Sequence, residues 1–174
     1  MLPKMLCVAG LMALAALSGC ALTGTVASRA VAQMEPTQGN KTKGSVEFIQ
    51  EGDRVRLVAS FSGLTPGLHG FHIHERGDCS APDAGSAGGH FNPSDAQHGD
   101  PMQGKHHVGD LPQLTANAAG EARLEVALSS ITLGKGKNNI VGRGLIVHAD
   151  PDDYKTQPTG NSGARVACGV IKPK

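Results

Sequence analysis

The sequence predicts an all-β domain, either a sandwich or a flattened barrel, and three observations carry that prediction. Apolar and polar residues alternate at period two in several short stretches. No stretch sustains an apolar period of 3.6. The chain has 174 residues with 24 glycines, no tryptophan, one tyrosine and four phenylalanines, so its core must be aliphatic and its connections rich in turns. Its length and 39% hydrophobic content suit a single domain.

The alternation is clearest in "DRVRLVASF", where Val55, Leu57, Ala59 and Phe61 share a face opposite Arg54 and Arg56. "GEARLEVAL" repeats it, with Ala122, Leu124, Val126 and Leu128 opposite Glu121, Arg123 and Glu125. "SVEFIQ", "LHGFHIH", "GRGLIVH" and "ARVACGVI" supply further strands, separated by Gly, Asn, Pro and Asp clusters. Two long stretches lack strand character: His74 to Asp110, and His148 to Arg165. Loops of that length need something to order them, and a metal and a disulfide would both serve.

Residues 1–19 read as a signal peptide, with Lys4 as the single charge before the apolar run "LCVAGLMALAAL". The run ends in "LSGC", which resembles a bacterial lipobox. Cys20 would then become the lipid-bearing N-terminus, holding the protein at a membrane. Cleavage after the Ala30-Val31-Ala32 triplet is the competing reading and would release a soluble protein. Residues 20–43 show no sustained apolar period and read as a flexible linker of roughly 25 Å, which places the domain at 44–174.

Export decides how the cysteines are read. Cys7 departs with the leader and Cys20 is lipidated or lost, leaving Cys79 and Cys168 to pair in an oxidising compartment. Loss of Lys4 leaves 15 basic and 15 acidic residues, a balance that points to no nucleic-acid partner.

His72 and His74 stand at i and i+2 of a strand, so their Cβ atoms lie roughly 7 Å apart on one face and both rings can reach one ion. Alone, the pair also fits an ordinary polar strand face. The glycine-rich loop adds "GGHFNP" (His90), "QHGD" (His98) and "HHVGD" (His106, His107, Asp110), and His148 ends the apolar strand "GLIVH". Neutral imidazole suits copper and zinc, and a lone carboxylate among histidines suits zinc better than calcium or magnesium.

"GLHGFHIHERGDC", "GGHFNP", "HHVGDL", "VHADPDD" and "GNSGARVACGV" resemble the copper/zinc superoxide dismutases, in that family's order and over about residues 44–172. The resemblance implies a Greek-key β-sandwich or flattened eight-stranded barrel with two long functional loops. It implies one copper on His72, His74, His90 and His148, and one zinc on His90, His98, His107 and Asp110, with His90 shared. His107 is preferred to His106 because it precedes "VGD"; His69 matches a structural histidine beneath the site. Asp152 resembles the carboxylate that ties a copper ligand to a zinc ligand, with Asp150 and Asp153 as rivals. Arg165 is similar to the arginine that guides the substrate anion, and Cys79 and Cys168 match the family's internal disulfide.

The function so implied is dismutation of superoxide to dioxygen and hydrogen peroxide in the periplasm or cell envelope, with His90 carrying a proton as copper cycles. The resemblance allows monomers and homodimers alike. Pro158 stands where better-known relatives carry a steering lysine beside the matching Thr159, so Lys105 or Lys155 is expected to take over steering. A copper and zinc storage protein of the envelope is the alternative, but it would have no use for Arg165. A zinc hydrolase would need a general base that is not evident.

Overall fold

The computed structural model describes residues 28–134 and 136–174. The expectations for the leader, Cys7 and Cys20 therefore lie outside the described residues. Among the described residues, ten antiparallel strands follow in chain order: β1 Arg29–Pro36, β2 Lys43–Glu51, β3 Arg54–Ser62, β4 Gly67–His69, β5 Phe71–His74, β6 Leu114–Ala116, β7 Ala122–Leu128, β8 Gly144–His148, β9 Arg165–Val170 and β10 Lys172–Pro173. Their spatial order is β4-β6-β7-β3-β2-β1-β9-β8-β5, with β10 beside β1.

The all-β expectation holds. The strand count exceeds eight because β4, β6 and β10 are only two or three residues long. "LHGFHIH" also divides at Gly70: β4 pairs with β6 at one end of the strand order and β5 with β8 at the other. The two ends are thus consecutive in the chain, and the sheet closes nearly into a barrel. Long connections place β7 beside β3 and β9 beside β1, as a Greek key requires.

Local sequence explains the central strands. The two-residue Gly52–Asp53 turn sets Glu51 opposite Arg54, and the β2–β3 ladder runs from that pair to Lys43 opposite Ser62. This register turns Val46 and Phe48 of β2, and Val55, Leu57, Ala59 and Phe61 of β3, into the core. Each large aliphatic side chain buried there stabilises the fold by about 1.5–3 kcal/mol.

Within the expected linker of residues 20–43, the expectation is corrected for residues 29–36. Arg29–Pro36 forms β1, which pairs with β2 from Arg29 opposite Ile49 to Met34 opposite Gly44. Glu35 and Pro36 then cross to β9, opposite Cys168 and Ala167. Ala30 and Ala32 are 0% exposed and Met34 is 1% exposed. The inward positions hold two alanines and a methionine, with Val31 on the other face, so no apolar stripe stands out until neighbouring strands cover it. The domain thus begins at or before Arg29.

The strands β5 and β8 are buried on both faces. Phe71 and Ile73 of β5, with Leu145 and Val147 of β8, join the main core. Alternation sends His72, His74, Ile146 and His148 to the outer wall. That wall is covered by the two long loops, residues 75–113 and 149–164, and the first contains a short 3-10 helix at Gly85–Ala87. A second apolar cluster of Ala84, Ala87, Ile146 and Cys168, with Cys79 packed against it, holds the first loop to the wall.

Candidate metal centre

Two segments of the first loop lie alongside β5 as an irregular extra edge. His74 bridges to His90 and His72 to Asp110. Ile73 donates from its backbone N–H to Gly109 O at 2.8 Å and accepts from Phe91 at 2.8 Å. This approach requires glycine at 109: a Cβ there would sit 2.2 Å from Ile73 O. The "VGD" glycine thereby lets His107 and Asp110 reach the wall that carries His72 and His74.

His72, His74, His90 and His148 form one buried group, and His90, His98, His107 and Asp110 form another. The candidate ligand atoms within each group lie within 4.8 Å of one another. In the first group, Nδ1 of His72 and Nε2 of His74, His90 and His148 are buried without a hydrogen-bond partner. The opposite ring nitrogens are all engaged: His72 Nε2 with Asp152 Oδ2 at 2.7 Å, His74 Nδ1 with Gly88 O at 2.9 Å, and His148 Nδ1 with Gly163 O at 3.2 Å. These contacts fix the tautomers so that the free nitrogens present lone pairs to a common point.

The second group gathers around Asp110 Oδ1, which lies 2.9 Å from His90 Nδ1, 3.0 Å from His98 Nδ1 and 3.4 Å from His107 Nδ1. The other carboxylate oxygen accepts the backbone N–H groups of His107 at 2.8 Å and Gly99 at 3.1 Å, which holds the group in orientation. His90 therefore belongs to both sets, with Nε2 facing the first and Nδ1 the second.

Asp152 joins the two sets from the other side. Its Oδ2 meets His72 and its Oδ1 meets His98 Nε2 at 2.8 Å, while Tyr154 donates its backbone N–H to Oδ1 at 2.7 Å. Gly160 must be glycine for this contact, since a Cβ there would lie 1.8 Å from Asp152 Oδ1. Of its rivals, Asp153 accepts from Lys155 and Thr156 in an exposed turn. The Asp150 backbone carbonyl accepts from Gly70.

Electrostatics follow from this burial. Desolvation pushes the pKa of His90 down to about 4 and that of His148 to about 3, and lowers His72 and His74 as well. These rings are neutral at physiological pH, as metal ligands must be. Burial also opposes charge on His98, but contacts with Asp110 and Asp152 outweigh it and raise that pKa to about 9. Although burial alone would raise Asp110 and Asp152, their histidine partners hold both well below the usual carboxylate range.

A pH dependence follows for the metal-stripped protein. Below the ordinary histidine value of 6.5, unfolding lets His90 and His148 take up protons that the fold refuses, so stability falls as pH drops from 6.5 toward 4. The contribution of His98 is complete below 6.5 and is lost as pH rises through 9. Urea denaturation of EDTA-treated protein should therefore show a maximum near pH 6.5. A profile flat between pH 4 and 9 would contradict these burials.

Arg165 opens β9 opposite His148, beside a β-bulge. Its guanidinium donates to Ala84 O at 2.6 Å and Gly88 O at 2.7 Å, and Gly88 O also accepts from His74. Cys79 and Cys168 are joined, with Cα atoms 5.9 Å apart. His69 lies outside both sets, with Nδ1 2.8 Å from His148 O and Nε2 2.8 Å from Thr65 O. His106 is also outside them, with Nδ1 2.6 Å from His107 O.

Sequence reasoning missed two amides. Gln157 clamps the His98 backbone, accepting its N–H at 2.8 Å and donating to its carbonyl at 2.9 Å. Gln113 accepts the N–H of Asp152 at 2.8 Å. Glutamines in loops carry no pattern by which to find them.

Residues 42–171 match the family model described as copper/zinc superoxide dismutase (SODC). The chain is 45% identical over 141 residues to the extracellular superoxide dismutase [Cu-Zn] of Haemonchus contortus, covering 75% of this chain and 74% of that protein. It is 40% identical over 158 residues to the extracellular superoxide dismutase [Cu-Zn] of Brugia pahangi, covering 86% and 78% respectively. The crystal structure of the clock protein EA4 superposes at a TM-score of 0.77 with 37% identity, covering 85% of this chain and 96% of that one. With two histidine sets sharing one ring on the wall of a Greek-key barrel, and a family match that spans most of the described domain, the chain belongs to the copper/zinc superoxide dismutase family.

Proposed function

We propose that this chain dismutes superoxide, with copper held by His72, His74, His90 and His148 and zinc by His90, His98, His107 and Asp110. The observation that carries the copper assignment is the set of four unpartnered nitrogens. Leaving a buried polar atom unpaired costs about 1–3 kcal/mol, and these four converge. A set of imidazoles alone suits copper, whereas three Nδ1 atoms and one carboxylate oxygen suit tetrahedral zinc.

When bound, copper supplies a one-electron couple that accepts an electron from one superoxide and returns it to a second, while zinc supplies a fixed charge. The remaining work falls to the chain. Two superoxides and two protons yield one dioxygen and one hydrogen peroxide. His90 can hold one of those protons at Nε2 while its Nδ1 stays on the zinc side. Arg165 provides a permanent cation for the substrate anion, and its two carbonyl acceptors keep the guanidinium beside His74. A storage protein would gain nothing from that placement.

Asp152 orients one ring of each metal set, so it acts through His72 and His98. Asp152→Asn is expected to lower metal affinity or activity about 10–100-fold, as loss of such supporting carboxylates generally does. Competition with a calibrated chelator would measure the affinity, and unchanged affinity for both metals would exclude the role.

We also read the protein as exported and lipid-anchored through Cys20, in a bacterial cell envelope. The extracellular relatives and the disulfide support export. The buried positions of Ala30 and Ala32 speak against cleavage after Ala32, which would remove half of β1. Cleavage before Cys20 would leave β1 whole. Intact mass of membrane-extracted protein should show an N-terminal Cys20 carrying diacylglycerol. A mass beginning at Gln33 would overturn the anchor.

A further inference from the structure

The pocket beside Arg165 has a volume of about 650 Å³ and is lined by Thr37, Gln38, Asn40, Pro82, Asp83 and Gly163 to Arg165. Its charged side chains are one cation, Arg165, and one anion, Asp83. Neither Lys105 nor Lys155 lines it; Lys105 lies in a different pocket with His98 and His106. The expectation that one of those lysines replaces a steering lysine therefore gains no support from this pocket. The question becomes what Asp83 does there.

The carboxylate is held in place by its surroundings. Its Oδ1 accepts the backbone N–H of Gly85 at 2.8 Å. The residue before it, Pro82, accepts from Gln38 N at 2.8 Å, and the residue after it, Ala84, accepts from Arg165 Nη1. Thr37 closes the far wall by donating its hydroxyl to Arg165 O at 2.7 Å, with Asn40 donating to that hydroxyl at 2.8 Å. Asp83 and Arg165 are therefore pinned to one rigid rim.

We propose that Asp83 is a rate-setting residue for anion capture: its fixed negative charge offsets the attraction that Arg165 exerts on superoxide approaching the guanidinium. Superoxide is an anion, so a carboxylate on the rim lowers its local concentration and its encounter rate. Arg76 is the other charged group facing the guanidinium. Its Nε is tied to Ser86 O at 2.8 Å, on the same loop. Burial lowers the Arg165 pKa, Asp83 counters that, and Arg76 adds to it, which places both charges within electrostatic reach. The inference rests on the reading of Arg165 as the anion guide.

Asp83→Asn separates charge from shape, because an asparagine oxygen can still accept from Gly85. In the metal-loaded full chain at low ionic strength, D83N should raise the second-order rate of superoxide decay about two-fold and D83K about four-fold. Both gains should vanish at high salt. The second readout does not depend on dismutation: inorganic phosphate should protect Arg165 from phenylglyoxal, scored by peptide mass, at concentrations falling in the order wild type, D83N, D83K. Equal phosphate protection in all three proteins overturns the role of Asp83, whatever the rates. The predicted phosphate order in a protein without superoxide activity would support the charge role and sink the superoxide reading instead.

Discussion

His148→Ala is expected to reduce superoxide decay to the level of free copper in buffer, a loss on the order of 100-fold or more, because it removes one of the four proposed copper ligands and not merely a ligand's support. The ring stands at the end of β8, where its backbone N–H donates to Gly70 O and its Nδ1 to Gly163 O, leaving Nε2 free toward the other three histidines. Alanine should leave the barrel intact, since Leu145 and Val147 of the same strand face the main core. Arg165→Ala, measured alongside, should retain copper but slow decay and weaken its salt dependence, since it removes the proposed attracting charge and its hydrogen bonds to Ala84 O and Gly88 O but none of the proposed copper ligands. Stopped-flow decay with metal analysis of the same samples distinguishes the two variants. Full activity in His148→Ala would remove the copper assignment, and with it the enzymatic reading.

Cutting the disulfide is expected to have the largest effect on stability. Cys79 and Cys168 are 89 residues apart in sequence, and releasing a closed loop of that length costs on the order of 4–5 kcal/mol in the chain-entropy account. The effect should reach the site. Cys79 packs against the small cluster of Ala84, Ala87 and Ile146, and the carbonyls that hold Arg165 belong to Ala84 and Gly88 in that same segment. Cys79→Ser should therefore lower the urea midpoint and slow superoxide decay at unchanged copper content. An unchanged midpoint would mean that metal and packing alone order the loop.

The strands most legible in the sequence were those whose inward residues are large. Val55 to Phe61 in β3 alternate so plainly that no other element could claim them, and the structure buries all four inward residues. In β1 the same geometry is built from Ala30, Ala32 and Met34, side chains too small or too adaptable to mark a face. The inward face of β1 shows itself only once β2 and β9 lie alongside. For the site, motif order named the histidines, but spacing could not say which nitrogen of each ring is free. That depends on partners such as Gly88 O, Gly163 O and Asp152, which are 14, 15 and 80 residues from the rings they engage.

By itself, the sequence determined the all-β class, the histidines and carboxylates available for metal, and the pair of cysteines left to bond. These follow from residue chemistry and short-range period, which are local properties. Tertiary structure alone decided which nitrogen of each ring is free and that Asp83 shares a rim with Arg165, and it supplied the contacts by which His90 faces both sets and Asp152 joins them, which family resemblance had only implied. Each of these depends on loops brought together across the barrel wall by backbone pairing along β5 and by the disulfide. Contacts of that range are set by packing, and sequence separation carries no record of them.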